Sequence, residues 1–232
     1  MAAQRGKFTG RPAGDTGEAD PKVAEALNNW QQGAGSEHDA LRALAAARFL
    51  VPVVAILTVQ DQETKAEKES EMALPTLIGH DGRAAIIAFT SVETMRRWRP
   101  DARPVAAPAA RVWHAAVTEG QSVVIDVAGP VPFVIEGARL ASLAKGQQPP
   151  LPHADPDIRA MIEAAVAAEP TITGYTLAPG SGADLAVTLR LAGAAAMEPA
   201  RRAAQAIALA LAPRLRRGVE LSVELPASRT NL

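Results

Sequence analysis

Cysteine is absent from this 232-residue chain, and that removes whole classes of chemistry. There can be no disulfide framework, no thiolate nucleophile and no cysteine-ligated zinc or iron–sulfur centre. Aromatic residues make up only 3% of the chain, so burial has to rest on Leu, Val and Ile, with the many alanines allowing close helix packing. Neither sign of charge prevails: 24 basic against 25 acidic residues give a formal net charge of −1. No global field therefore draws the chain to nucleic acid or to an anionic membrane. The longest apolar run, Phe49 to Leu57, is nine residues, against the roughly 20 that a membrane helix needs. The first 20 residues carry no apolar signal core, and no Walker lysine or dinucleotide fingerprint occurs. These absences predict a soluble, cytoplasmic protein with no membrane association.

What is present is a succession of short, well-punctuated elements. Residues 1–19 have no hydrophobic period and read as a disordered tail. Asp20-Pro21 is an N-cap followed by a first-position proline, opening a helix with Val23, Ala26, Leu27 and Trp30 on one face. Ser36 caps a second helix carrying Leu41 and Leu44. Phe49 to Leu57 reads as a buried strand, with Pro52 pointing to an edge or a bulge. The charged run at 60–71 reads as a solvated connection. Met72 to Ile78 and Ala84 to Phe89 form a hairpin around His80-Asp81-Gly82. Thr90 and Glu93 then have capping-box spacing at the start of a helix with Val92 and Met95 inward. Pro108 opens a helix with Val112, Ala116 and Val117 inward, and Val123 to Val127 is a strand. Phe133 to Glu136 and a short helix with Leu140 and Leu143 complete this half.

Residues 146–153 are rich in proline and glutamine and read as a linker. Beyond it the pattern restarts: a helix from Asp155-Pro156, a strand at 171–178 with a bulge at Gly174, and an alternating strand at 185–191. A helix from near Pro199 and an alternating strand through Val219, Leu221, Val223 and Leu225 follow. Alternation of this kind belongs to sheets buried on one face. The predicted fold is α+β, with two small lobes, each a mostly antiparallel sheet with helices on one face. The predicted boundaries are 20–145 and 154–226, with a second tail at 227–232.

Sites of chemistry are hard to find. His38, His80, His114 and His153 have no mutual spacing that would bring two together on one helix or strand. Ser181, in Gly180-Ser181-Gly182, lies between two predicted strands and does not fit a nucleophile elbow. Asp155 and Asp157 read as first-turn helix acids. Two arginine clusters, Arg96, Arg97, Arg99 and Arg103 around Trp98, and Arg214, Arg216 and Arg217, lie at predicted helix ends. They have few aromatics beside them for stacking on bases.

Two stretches, LIGHDGRAAIIAFTSVETMRRW at 77–98 and VVIDVAGPVPFVIEGARLASL at 123–143, resemble the SseB family, named for enhanced serine sensitivity. The specific features are Asp81-Gly82, the Phe89-Thr90-Ser91 junction with Glu93 and Trp98, and the later strand pair. The resemblance implies an N-terminal SseB domain over 23–143 and a smaller C-terminal partner over 156–225. It carries over no catalytic residue. Family members often have Asn-Pro after the strand that begins near Val123; this chain has Asp126-Val127 there and Gly129-Pro130 just beyond.

The expected function is that of a non-enzymatic, cytoplasmic protein-binding or regulatory module. Its expected partner is an unidentified protein, and no cofactor, metal or catalytic residue is assigned. Thr90, Ser91 and Trp98 are the candidate recognition residues. Two alternatives stay open: a small-molecule sensor or enzyme with a pocket between the lobes, and a nucleic-acid-associated factor using the arginine clusters.

Overall fold

The computed structural model describes residues 15–56, 71–73, 76–79 and 82–226. Among them the chain forms seven α-helices and ten strands in three sheets, an α+β architecture with mostly antiparallel pairing. By its contacts the chain divides into two compact units. One joins the chain up to Leu27 with Ala43–Gln147, and the other joins Asn28–Arg42 with Gln148–Leu232. The passage at Gln147–Gln148 falls within the proline-rich stretch, while Asn28–Arg42, earlier in sequence, belongs by contact with the later unit. The turn residues His80 and Asp81, charged residues 60–70 and both outer tails (1–14 and 227–232) lie outside the described residues.

Helix α1 (Pro21–Gln31) opens as its sequence predicts, the Lys22 N–H donating to the Asp20 carboxylate at 2.9 Å. At the start of α2 (Glu37–Ala45), Ser36 and Asp39 cap each other: the Asp39 N–H donates to Ser36 Oγ, and Ser36 Oγ donates to the Asp39 carboxylate.

In the first unit, β1 (Arg48–Ile56) pairs antiparallel with β2 (Glu71–Ala73) and with β5 (Arg103–Pro108). Strand β5 was not expected, because its sequence, RPVAAP, combines two prolines with residues of low β propensity. The register explains why proline is tolerated: Pro52 lies opposite Pro104. Leu50 exchanges both its backbone bonds with Phe89, on the side away from β5. Pro52 has the same orientation as Leu50, so its missing N–H costs no bond to β5.

The second sheet of this unit has the order β3-β4-β6-β7, formed by Thr76–Ile78, Ala84–Ala88, Ser122–Ile125 and Phe133–Ile135. Its outer pairs are antiparallel, but β4 and β6 are parallel. A parallel pair needs a long crossover, here supplied by α3 (Val92–Trp98), β5 and α4 (Ala109–Glu119). Helix α4 buries Val112, Trp113 and Ala116, the Trp113 ring meeting Phe49 edge-on at 5.2 Å. Val117, expected inward, is instead 45% exposed. Helix α5 (Gly137–Ala144) buries Leu140 and Leu143.

The second unit contains the sheet β10-β9-β8, from Val219–Glu224, Leu185–Leu191 and Ile172–Ala178, with the bulge at Gly174 as read from sequence. Helices α6 (Pro156–Ala167) and α7 (Met197–Leu211) share a core with it, built on Ile158, Ile162, Leu185, Val187, Leu189, Ile207 and Leu211. Strand β10 runs parallel to β9 at the sheet edge. Leu221 and Val223 there, and Leu225 just beyond the strand, remain 37%, 42% and 49% exposed despite their clean alternation.

Candidate functional site

The most tightly built polar cluster of the first unit lies at the carboxyl ends of the parallel strands β4 and β6. In sheets with parallel strands this is where connecting loops diverge and leave a crevice. Strand β6 stops at Ile125, two residues before the predicted end, because Asp126 turns the chain with φ 49°. Asn and Asp tolerate this left-handed conformation better than other side-chain-bearing residues. A short polar residue at position 126 is thus explained by the backbone itself. Asp126 is buried, and its carboxylate accepts three bonds: from the Thr90 N–H (2.9 Å), the Thr90 hydroxyl (2.6 Å) and the Thr94 hydroxyl (2.6 Å). The Asp126 N–H donates to Ala88 O, and Asp126 O accepts from the Gly129 N–H at 2.7 Å. A Cβ on Gly129 would lie 2.9 Å from that of Asp126, so the turn closes only around glycine.

This cluster changes the expected capping. The N-cap of α3 is Ser91, whose Oγ accepts the Thr94 N–H at 3.1 Å. Thr90 sits one residue too early and is held by Asp126 instead. Glu93 does not reach back; it pairs forward with Arg97 at 2.6 Å, one turn along the helix. Trp98 packs on Phe89, ring centroids 5.7 Å apart, beside Met95 and Leu50. Of the three candidate recognition residues, Ser91 lines an accessible cleft, Thr90 faces the buried cluster and Trp98 is part of a hydrophobic one.

That cleft has a volume of about 740 Å³. One wall is the start of α3 with Arg96, Arg97 and Pro100, and the other is the segment Thr16–Ala19. Residues 15–19, where the sequence predicts a disordered tail, are laid along the first unit as a strap. The Val92 N–H donates to Gly17 O at 2.7 Å, and Gly17, with φ 81°, is buried. Arg48 grips the same segment: its Nη2 donates to the Asp15 carboxylate (2.7 Å) and Glu18 O (2.8 Å), and its Nη1 donates to Thr90 O (3.1 Å). One guanidinium thus links strap, strand and junction, using the fork geometry that lysine lacks. The strap and Arg48 left no sequence signal, since 33 residues separate the partners. Asp126 left a faint one: an acidic residue between a run of β-branched residues and Gly129-Pro130.

Other candidates fall into structural roles. Arg97 pairs with Glu93, and Arg99 with Asp101. Arg214 is buried and donates to both Glu37 and Asp155, while Asp155 also caps α6. Trp30 Nε1–H donates to Arg214 O, and Arg216 lies over the Trp30 ring at 4.9 Å. The first-turn acids 155 and 157 are therefore separated in role. Burial pushes the His38 imidazole below its ordinary pKa. Ser181 donates to Glu220, whose carboxylate also accepts the N–H groups of residues 181, 182 and 183. The Gly182 and Ser181 N–H groups lead in drawing the Glu220 pKa down to about 2. Among the described residues no three His, Asp or Glu side chains converge as metal ligands, and no helix is long and apolar enough to cross a membrane.

Comparison with known proteins gives one finding. No curated protein and no solved structure matches the chain. The family model described as the SseB protein N-terminal domain matches residues 23–142, which takes in β4, the Thr90-Ser91 junction, α3, Asp126 and Arg48. With just over half of its length inside that match, the chain belongs to the SseB family.

Proposed function

We propose that this chain is a non-enzymatic protein-binding or regulatory module, acting in the cytoplasm through the cleft beside α3. The observation that supports this reading is the strap. A surface that holds a short bent stretch of main chain by a backbone N–H at Val92 and a forked guanidinium at Arg48 is suited to taking a peptide segment. The hydroxyls at the cleft are already engaged, Ser91 with Thr94 and Thr16 with the Glu18 N–H. Neither His nor Lys lines it as a base. The arginines that could draw nucleic acid are largely spent on carboxylates and on Trp30, which favours a protein partner over a nucleic acid. In the same proposal residues 156–225 form the smaller C-terminal domain of the family.

A photo-crosslinking residue at Pro100, on the cleft rim, tests the reading in native cells, with the same residue at exposed Met161 as the control. A discrete protein adduct from position 100 and not from 161 is the expected result. No adduct, or the same adducts from both positions, would overturn it.

A further inference from the structure

We infer that the strap is an internal competitor and that the partner segment it mimics is an acidic, turn-forming peptide. This rests on the protein-binding reading above and adds the chemistry of the ligand and a means of control. The contacts of the strap specify that chemistry. Asp15 supplies a carboxylate to Arg48 and folds back to accept the Gly17 N–H at 2.8 Å, making a tight turn. Gly17 supplies positive φ and the carbonyl that accepts from Val92. Glu18 supplies a second carbonyl to Arg48 and a second negative charge at the cleft wall. The pattern is an acidic residue, any residue, glycine, then a second acidic residue.

Charge on the receiving surface agrees with this. Once the strap lifts, its Asp15 and Glu18 leave with it. The rest of the cleft lining then carries Arg96 and Arg97 against Glu93, and Arg48 loses its Asp15 carboxylate. Arg97 remains neutralised by Glu93, so Arg48 and Arg96 are the cations offered to an incoming segment. Arg96 is exposed and has no ion-pair partner among the described residues. An acidic segment would place one carboxylate on Arg48 in the manner of Asp15 and a second within reach of Arg96, which the strap does not use. A partner could therefore outcompete the strap by one charge contact, even though the strap has the advantage of being tethered. The tether sets a threshold: only segments at high local concentration, or with the extra contact, displace it.

The test uses the full-length chain and a fluorescent peptide with the sequence of residues 12–22 as the probe, read by polarisation. In the wild type the tethered strap should hold the apparent affinity low. Asp15→Ala removes the carboxylate from the strap's grip on Arg48, leaving the Glu18 carbonyl, and should tighten peptide binding by about tenfold or more. Arg96→Glu, placed on the Asp15→Ala chain at an exposed position that leaves the fold intact, puts a negative charge beside the site of the probe's Glu18 and Asp20 carboxylates and should weaken binding by about tenfold through repulsion. A shuffled peptide of the same composition should not bind. Equal peptide affinity for wild type and Asp15→Ala, or no effect of Arg96→Glu, would overturn the inference. Should Asp15→Ala fail to fold, Asp15→Asn keeps the turn and weakens only the ion pair, and the same ordering must hold. The two readings fail separately. Crosslinking at Pro100 without peptide competition sinks the acidic-segment inference alone. Peptide competition without any protein adduct in cells sinks the partner-protein reading.

Discussion

Replacing Asp126 should destabilise the first unit more than any other single polar change at the junction, and the order among variants tests why. Asp126→Ala removes the acceptor for the buried Thr90 N–H and for the two Thr hydroxyls. Hydrogen bonds to a charged group contribute about 1.5–3 kcal/mol each, but the three share one carboxylate and do not add. The hydroxyls can turn to other acceptors; the Thr90 N–H cannot. A cost of about 3–4 kcal/mol follows for lost bonds and desolvation, with about 1 kcal/mol more because alanine is strained at φ 49°. Asp126→Gly loses the same bonds without that strain and should be about 1 kcal/mol less damaging than Asp126→Ala. Asp126→Asn keeps the conformation and one strong acceptor, and its amide can donate to a Thr oxygen, so its cost should be about 1 kcal/mol. Urea unfolding by far-UV circular dichroism gives the global values, and hydrogen exchange at the Thr90 amide reports the local opening. If Asp126→Ala costs under 1 kcal/mol, or proves more stable than Asp126→Gly, the account of this cluster is wrong.

Three further outcomes are expected. Ser91→Ala should cost about 1 kcal/mol as the loss of a helix cap, while Thr90→Ala should cost more because it strips a buried bond from Asp126; equal costs by urea titration would contradict the assignment of the cap. Arg214→Met should cost about 3–5 kcal/mol because Glu37 and Asp155 are left buried without their cation; Arg214→Met with Glu37→Met should unfold at higher urea than the single variant, and a lower midpoint would refute this. The Glu220 carboxyl is held near pH 2 in the fold against an ordinary 4.5, so its contribution to stability is complete above about pH 4.5 and is lost as pH falls through 2; Glu220→Gln should flatten stability against pH in that window, and a carbon-detected NMR titration of Glu220 with a midpoint near 4.5 would remove its basis.

Much of the local architecture was legible from short-range signals. Asp20-Pro21, Ser36 and Asp155-Pro156 opened helices where expected, since an N-cap and a first-position proline act within a few residues. The alternation of Leu185 to Leu191 identified a strand with one buried face. The bulge at Gly174 was legible for the same reason: a glycine interrupts a strand locally. The errors have a common form. Thr90 and Glu93 have the spacing of a capping box, but a buried carboxylate 36 residues away in sequence takes Thr90 and shifts the cap to Ser91. Strand β5 was invisible in RPVAAP because pairing with β1, not propensity, makes it a strand. The β10 residues Leu221 and Val223 alternate like a buried face yet stand exposed, because alternation does not report whether a helix covers the sheet edge.

The sequence by itself determined most of the helices and strands, the α+β class, the exclusion of cysteine chemistry and membership of the SseB family, all carried by residues close together in the chain. Only the tertiary structure decided that β4 and β6 lie side by side in parallel, and hence that Asp126 meets Thr90 and Thr94. It alone decided that Arg48 reaches back to Asp15 and turns residues 15–19 from tail into strap. Those contacts depend on sheet order and on the carboxyl ends of two strands coming together. No spacing in the sequence encodes that proximity, because the free energy that fixes it is spread over the core beneath.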